Sequence, residues 1–340
     1  MTRSLRLLLG AALAVAVLPP VPAAAKPTPA SAAPSSATRF GVIASTIGDP
    51  GGNNLANTQA LYGQHRTLMG GGPTGIRVFS AGNIPLATDT TVQGQFLAWI
   101  AANHPDEYVT VSFKTYSSTR QNTLMTWAQT NSLDLELIFF HEPQDDCFKI
   151  PTPSSPACPA NYKSVYVQMD IQRDAHAWAS RVVLNKNLMD YWQHFESAKK
   201  GGGWPLYVEP KNGAGEKTDP ADMVTWDLYS AEWLPLYYST SRALKYPDQV
   251  WDGTAMPWGY GELGAHRNPD DAEWSGLADF EQRVTDAAQD PEATYPGLPP
   301  AVFVKWWCAY GAAGVAENNH LERSAAAVAH YRAKVIASPL

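Results

Sequence analysis

The sequence lacks the motifs of several common enzyme classes. It contains no Gly-x-Ser-x-Gly elbow, which argues against a lipase-like hydrolase, and no glycine-rich dinucleotide fingerprint follows a predicted strand. The stretch 213–218 resembles a phosphate-binding loop, but Glu216 stands where that loop requires glycine. His141-Glu142 does not begin a zinc-protease helix, because no second histidine follows at the required spacing and Pro143 interrupts a helix.

Basic residues are also scarce and scattered. The 340 residues carry 25 Lys and Arg against 32 Asp and Glu, a formal net charge of −7. Such a chain repels phosphate backbones, and no cluster of lysine or arginine overcomes that repulsion. We therefore expect no nucleic-acid partner.

Cysteine is almost absent, with three residues in the whole chain. Cys147 and Cys158 bracket a Pro/Ser-rich loop, and in an oxidising compartment we expect them to form a disulfide. Cys308 ends an apolar, aromatic run and is interpreted as a buried free thiol. No cysteine is paired at ligand spacing with a histidine, so the sequence predicts neither a cysteine metal site nor a cofactor.

Long apolar runs are missing except at the N-terminus. There Arg3 and Arg6 precede the run 7–18, and 23–25 supply the small residues of a cleavage site, which predicts a signal peptide over 1–25. A retained membrane anchor is the alternative. Residues 26–38, rich in Pro, Ala and Ser, are predicted to be a disordered linker. Residues 39–340 then form one domain of a secreted protein, which we expect to be monomeric and without membrane contact after cleavage.

Short apolar runs alternate with amphipathic stretches, the pattern of repeated βα units and a parallel sheet. Eight such units in about 300 residues favour a closed (β/α)8 barrel over an open doubly wound sheet, which is the alternative. The predicted strands are Phe40–Ser45, Gly75–Ser80, Tyr108–Lys114, Leu135–His141, Arg181–Asn185, Met223–Tyr229, Met256–Leu263 and Ala301–Trp307.

Six helices are predicted between and after these strands. Apolar residues at helical spacing place them at Asn54–Met69, Val92–Ala102, Asn122–Gln129, Lys163–Ser180, Asp270–Ala288 and Leu321–Ile336. The segment 187–222 contains three consecutive glycines and is interpreted as a long loop. No helix is assigned between the sixth and seventh strands.

Two glutamates stand at the predicted strand ends, where a barrel gathers its catalytic groups. Glu142 follows the fourth strand and precedes Pro143, which cannot continue a strand ladder. Glu262 ends the seventh strand between Gly261 and Leu263-Gly264, on the opposite side of the rim. Two carboxyls facing one cleft can hydrolyse a glycosidic bond, and a separation of about 5 Å gives retention of configuration. A single glutamate in either place would read as a loop cap or ion-pair partner.

The motifs FFHEP and GYGELG resemble those of the glycoside hydrolases of clan A, in which the acid/base glutamate ends strand four and the nucleophile ends strand seven. Histidine before the first glutamate is similar to family 26, the β-mannanase family. The resemblance implies that Glu142 is the acid/base and Glu262 the nucleophile. The chain departs from family 26 in two places. That family usually has an arginine a few residues before this glutamate, where residues 137–139 are apolar, and an Asn-Gly shortly after it, where residues 144–146 are QDD.

The resemblance extends to other strands. Arg77 occupies the place where such enzymes keep an arginine near the nucleophile, and Asp227 and Tyr229 match the Asp-x-Tyr of family 26. Physically, Arg77 can keep Glu262 ionised, although a structural ion pair would use the same residue. His141 can bond a sugar hydroxyl or orient Glu142, or be an ordinary core histidine.

Aromatic residues are abundant, with 12 Trp and 15 Tyr. Sugars pack their C–H faces on such rings, so we expect substrate contacts from the aromatics nearest the ends of strands seven and eight. These are Trp258, Tyr260, Trp306 and Trp307. Side chains alternate along a strand, so at most one of Trp306 and Trp307 should face the cleft.

The sequence therefore predicts a secreted glycoside hydrolase that cleaves β-linked polysaccharide or oligosaccharide with retention. Three alternatives remain open. One is a barrel of the same ancestry that binds carbohydrate without cleaving it. The second is a secreted metal-dependent hydrolase that uses His and Asp. The third is a lyase acting on acidic polysaccharide, which the negative charge of the chain disfavours.

Overall fold

The computed structural model describes residues 37–46, 49–149, 155–196, 203–230, 239–265, 275–309 and 319–340. Eight parallel strands form one sheet in the order β1-β8-β7-β6-β5-β4-β3-β2. Between the two ends of that order, the Val42 N–H donates to the Thr74 carbonyl (2.8 Å), which links β1 to the residues that lead into β2. The (β/α)8 barrel is confirmed. The strands are β1 Arg39–Ala44, β2 Ile76–Asn83, β3 Tyr108–Thr115, β4 Asp134–Phe139, β5 Val182–Met189, β6 Met223–Ser230, β7 Trp258–Ala265 and β8 Phe303–Cys308.

The outer layer consists of α-helices and short 3-10 or π turns. Several α-helices begin at a side chain that accepts a backbone N–H, as Asn54, Thr91, Ser117 and Ser324 do. No helix among the described residues is both long and apolar enough to cross a membrane. The α-helices are α1 Leu55–Leu68, α2 Val92–Asn103, α3 Ser118–Thr130, α4 Pro143–Lys149, α5 Pro159–Asp174, α6 Thr240–Thr254, α7 Ser275–Gln289 and α8 Ala325–Ala337. The short turns are Ala179–Arg181, Trp192–Glu196 (π), Trp204–Leu206, Pro291–Ala293 and Leu321–Arg323.

Two helices were not expected from the sequence. Pro143 lies four residues beyond the end of β4 and is the first residue of α4, a position where the missing N–H of proline costs nothing. Helix α6 contains Pro247 in its interior, which obscures its helical pattern. The predicted loop 187–222 is wrong at its start, because 187–189 belong to β5; its later described residues contain the π turn and the 3-10 turn Trp204–Leu206. The predicted signal peptide and nearly all of the linker lie outside the described residues and stay predictions.

The barrel interior contains a buried polar layer. The Lys305 ammonium pairs with Glu136 and donates to the Thr110 hydroxyl (2.8 Å), while Asn185 donates to Glu136 (2.6 Å). Burial lowers the pKa of Lys305 to about 8. Because these groups bond to each other, their burial is compensated. Thr110 lies two residues before Ser112 on β3, so this layer forms the floor of the candidate site described next.

Candidate active site

A β-bulge in β7 aims Glu262 into the barrel. Trp226 of β6 pairs with Tyr260, but the next residue, Asp227, pairs with Glu262, so Gly261 is an extra residue in β7. In regular alternation Glu262 would share a face with Tyr260, whose hydroxyl donates to Ala243 of α6 in the outer layer. The extra residue reverses the alternation, and Glu262 points inward.

Glu262 is bound by two side chains from other strands. The Arg77 guanidinium of β2 donates to one carboxylate oxygen (Nη1–Oε1 2.8 Å), and the Tyr229 hydroxyl of β6 donates to the other. Arg77 is itself fixed by a bond from its Nε to the Ser112 hydroxyl (2.9 Å). Both partners of the ion pair are nearly inaccessible to solvent. Charge-assisted bonds of this kind stabilise the ionised carboxylate and fix its orientation.

Glu142 lies three residues beyond the end of β4, in a strained backbone. The strand ends at Phe139, earlier than the predicted His141, and both Phe140 (φ 48°) and Glu142 (φ 54°) adopt the left-handed region. This conformation costs a non-glycine residue about 1 kcal/mol or more, and such strain tends to cluster at functional sites. The Glu142 N–H donates to the carbonyl of Asn187 in β5 (3.0 Å), which anchors the turn over the barrel mouth.

The two glutamates interact electrostatically and differ in environment. Burial raises the pKa of Glu142 to about 8, with further upward contributions from the charges of Glu262 and Asp145. Glu142 therefore retains its proton at neutral pH. Burial and the charges of Arg77 and Lys114 lower the pKa of the neighbouring His141 to about 3, so its imidazole is neutral.

Asn187 is a residue of the candidate site that the sequence interpretation did not identify. The Asn187 side chain donates to Asp227 (2.6 Å) and accepts from Thr225 (2.6 Å). A Cβ on Gly261 would lie 2.0 Å from the Asn187 Oδ1, so the glycine leaves room for this amide. The predicted fifth strand stopped at Asn185; the polar residue two positions further, on the same face, was the available signal.

Asp227 lies beside Glu262 in the β6–β7 register and is buried. Burial and the charge of Glu262 raise the pKa of Asp227 well above its ordinary value, while Arg77 and the bond from Asn187 oppose the rise. Burial likewise raises the pKa of Tyr229, so its hydroxyl keeps the proton that it donates to Glu262. The structure thus brings Arg77, His141, Glu142, Asp227, Tyr229 and Glu262 together at one end of the barrel.

The aromatic residues predicted to contact sugar are only partly in position. Trp258, Tyr260 and Trp306 are completely buried, which is a correction to the expectation. The Trp258 indole donates to the Pro299 carbonyl (2.8 Å), and that of Trp306 donates to the Asn319 carbonyl (2.9 Å). The bulge explains why Trp258 and Tyr260 do not face the cleft. It turns Glu262 inward, while these two side chains stay on the outward face of β7.

Trp307 has the opposite orientation to Trp306, as alternation requires. Its ring lies edge-on to Phe79 of β2 (centroids 5.4 Å apart), and Phe79 in turn contacts the His141 ring (5.4 Å). Trp307 and Phe79 pack with Ile43 and Tyr229 in a cluster separate from the main core. The Arg77 guanidinium lies 4.5 Å from the Phe79 ring centroid, which connects this cluster to the carboxylate pair.

The cysteines are placed as expected. Cys147 at the end of α4 and Cys158 before α5 form a disulfide, and Cys308 is a buried free thiol. Among the described residues, the group of side chains with the composition and spacing of a metal site is His65, His320 and Glu322. None of these three belongs to the cluster of ionisable groups around Glu262.

The sequence matches none of the protein-family profiles or curated proteins with which it was compared. Solved structures do share its fold. A fungal β-1,4-galactanase has a TM-score of 0.55 at 11% identity, covering 87% of this chain and 99% of that one. Bacteroides uniformis β-glucuronidase has a TM-score of 0.53 at 12% identity, covering 87% of this chain and 34% of that longer one. Similarity at such identities shows the fold: the chain shares its barrel with these glycoside hydrolases.

Proposed function

We propose that the protein is a secreted glycoside hydrolase that cleaves β-linked polysaccharide with retention, Glu142 being the acid/base and Glu262 the nucleophile. One observation carries the proposal. Burial and the nearby charge of Glu262 raise the pKa of Glu142 to about 8, while Glu262 is itself bound by a guanidinium and a hydroxyl. Two carboxyls in such unequal environments are what a general acid and a nucleophile require.

In the first step the ionised Glu262 carboxylate attacks the anomeric carbon. The bond to the leaving oxygen breaks, and Glu142 gives its proton to that oxygen, so the leaving sugar departs as an alcohol. The product is a glycosyl ester on Glu262 and an ionised Glu142. Arg77 and Tyr229 orient the attacking carboxylate, and their bonds to it weaken as its charge is lost.

The second step uses the changed charge of the site. Once Glu262 is esterified, the negative charge that helps to raise the pKa of Glu142 is gone, so this carboxylate can remain ionised and act as a base. It takes a proton from water, the hydroxide oxygen attacks the anomeric carbon, and Glu262 leaves as a carboxylate. Two inversions give net retention, and both residues return to their starting states.

Sugar binding next to the pair is assigned to Trp307 and His141. Trp307 is also buried, with 5% of its surface exposed, but it faces the opposite way to Trp306 and packs with Phe79 and Tyr229; we assign its exposed edge to the C–H face of a sugar. The neutral imidazole of His141 can both donate to and accept from hydroxyls. Trp258, Tyr260 and Trp306 are left out of the proposed contact surface because they are buried behind the strands. Export agrees with the Cys147–Cys158 disulfide, since such bonds persist in oxidising compartments.

The test is a panel of β-galactan, mannan, xylan and β-glucans, incubated with the wild type and with Glu142→Gln and Glu262→Gln. We expect one glycan to be cut and each variant to lose activity by several orders of magnitude. Proton NMR of the first product formed should show the β-anomer. Lys149→Gln, on an exposed side chain of α4, serves as the matched control and should remain active.

Other outcomes would support a rival function. A glycan that binds but is not cut by the wild type would favour a non-catalytic carbohydrate-binding barrel. Activity that survives both glutamine substitutions and disappears with a chelator would favour a metal-dependent hydrolase.

A further inference from the structure

Two histidines and a glutamate meet on the outside of the barrel. His65 belongs to α1, while His320 and Glu322 belong to the connection between β8 and α8. The His65 Nε2 lies 3.3 Å from Glu322 Oε1, and the His320 Nδ1 lies 3.7 Å from Glu322 Oε2. One ligand atom from each of the three residues lies within 4.8 Å of the others.

The group is buried on one side and open on the other. The His65 side chain is 2% exposed, whereas that of Glu322 is 40% exposed. The Nδ1 of His65 has no hydrogen-bond partner in the described part of the chain, so the polar contact of this buried ring is the one made by Nε2. An ion can therefore reach the imidazole from the carboxylate side.

The three side chains offer two imidazole nitrogens and one carboxylate oxygen. Imidazole nitrogen with carboxylate oxygen is a donor set suited to Zn²⁺ and related transition ions, whereas Ca²⁺ and Mg²⁺ take oxygen ligands.

The spacing also fits a tetrahedral ion. Ligands bound at about 2.1 Å in a tetrahedron stand about 3.4 Å apart. The His65 Nε2 lies 3.3 Å from one carboxylate oxygen of Glu322 and the His320 Nδ1 lies 3.7 Å from the other, so a rotation of the carboxylate is needed to bring one oxygen to this spacing from both nitrogens. Three protein ligands leave a fourth position for water on the exposed side.

We propose that His65, His320 and Glu322 bind one divalent transition-metal ion, Zn²⁺ being the best fit, as a structural clamp. The site joins α1, which follows the first strand, to the segment before α8, which follows the last. Because β1 and β8 are neighbours, the ion would tie together the two ends of the barrel sequence. This inference is independent of the proposed glycosidase activity.

The test uses the full-length protein without an affinity tag, stripped with EDTA and dialysed. Calorimetric titration with Zn²⁺ should show one saturable site, and added Zn²⁺ should raise the unfolding temperature. Titration with Co²⁺ should give visible absorption bands of tetrahedral intensity. Metal binding requires neutral imidazoles, so the affinity should fall as the pH is lowered.

Variants locate the ion. His320→Gln and Glu322→Gln affect partly exposed side chains, so both should fold, and each should weaken Zn²⁺ binding at least about 100-fold. The matched control is His330→Gln, because His330 also contacts carboxylates, Glu281 (2.9 Å) and Asp286 (3.5 Å), but has no second histidine in its group. This variant should bind Zn²⁺ like the wild type.

The proposal is overturned if the stripped protein shows no saturable Zn²⁺ binding. It is equally overturned if binding is unchanged in His320→Gln and Glu322→Gln, or is lost in His330→Gln. Glu142→Gln should bind the ion normally, so a failure of the glycosidase proposal and a failure of this one give different results.

Discussion

Replacing Arg77 by methionine tests the electrostatic design of the candidate site without any knowledge of the substrate. The guanidinium is the cationic partner of Glu262 and is itself buried. Its removal leaves the Glu262 carboxylate buried without a cationic partner, and only the Tyr229 hydroxyl still donates a hydrogen bond to it. Breaking a buried pair by removing one partner typically costs about 3–5 kcal/mol, and the remaining hydrogen bond favours the lower end, about 3 kcal/mol.

The loss of unfolding free energy caused by Arg77→Met should be smaller when Glu262 is also replaced by glutamine. Glu262→Gln removes the charge that Arg77→Met leaves without its cation, so the two losses of unfolding free energy should not add. We expect the double variant to be more stable than the sum of the single effects by about 2 kcal/mol. The measurement is equilibrium urea unfolding of the four proteins of the cycle. Arg181→Met is the control, because Arg181 pairs with Asp134 on the surface and should change the stability by less than about 1 kcal/mol.

The same substitution predicts a change in titration. The charge of Arg77 lowers the pKa of Glu142, so Arg77→Met should move that pKa above about 8, whereas Arg77→Lys should leave it closer to the wild-type value. Carbon-13 NMR of labelled glutamate side chains measures this directly. Additive stability losses together with an unchanged or lower pKa of Glu142 would refute the reasoning.

Three further predictions concern neighbouring features. Asp145→Asn removes a charge that raises the pKa of Glu142, so the alkaline limit of kcat/KM should move below about pH 8; an unchanged pH profile would contradict this. Gly261→Ala puts a Cβ 2.0 Å from the buried amide oxygen of Asn187. We expect the free energy of unfolding in urea to fall by about 1–3 kcal/mol and kcat to fall as well, and wild-type values for both would contradict this. Reducing the Cys147–Cys158 bond should lower the unfolding free energy by about 3 kcal/mol, measured with and without reductant at equal pH; equal stabilities would count against the estimate.

The sequence predicted the barrel and the convergence of the two glutamates because both depend on simple patterns. A buried parallel strand is an apolar run of characteristic length, and eight such runs separated by helical stretches restrict the topology to very few choices. The predicted fourth strand was two residues too long at its end, because β4 stops at Phe139. The prediction that Glu142 and Glu262 converge required only that the two strand ends point to the same rim.

The errors arose where tertiary structure overrides a local pattern. Alternation alone cannot reveal the bulge at Gly261, which puts Tyr260 and Glu262 on opposite faces. Asn187 was missed because a polar residue in a buried strand looks like the end of that strand. The group of His65, His320 and Glu322 has no sequence signature, since its members come from opposite ends of the domain and meet only when the barrel closes.

The most direct test of the assigned roles is rescue of alanine variants by azide on an activated β-glycoside of the sugar found in the panel. In Glu262→Ala the small anion should replace the nucleophile and give the α-glycosyl azide. In Glu142→Ala azide should react with the glycosyl ester on Glu262 and give the β-glycosyl azide. Opposite anomers from the two variants are the result that the account predicts. The reverse assignment of anomers, or failure of azide to restore turnover in both variants, would contradict it.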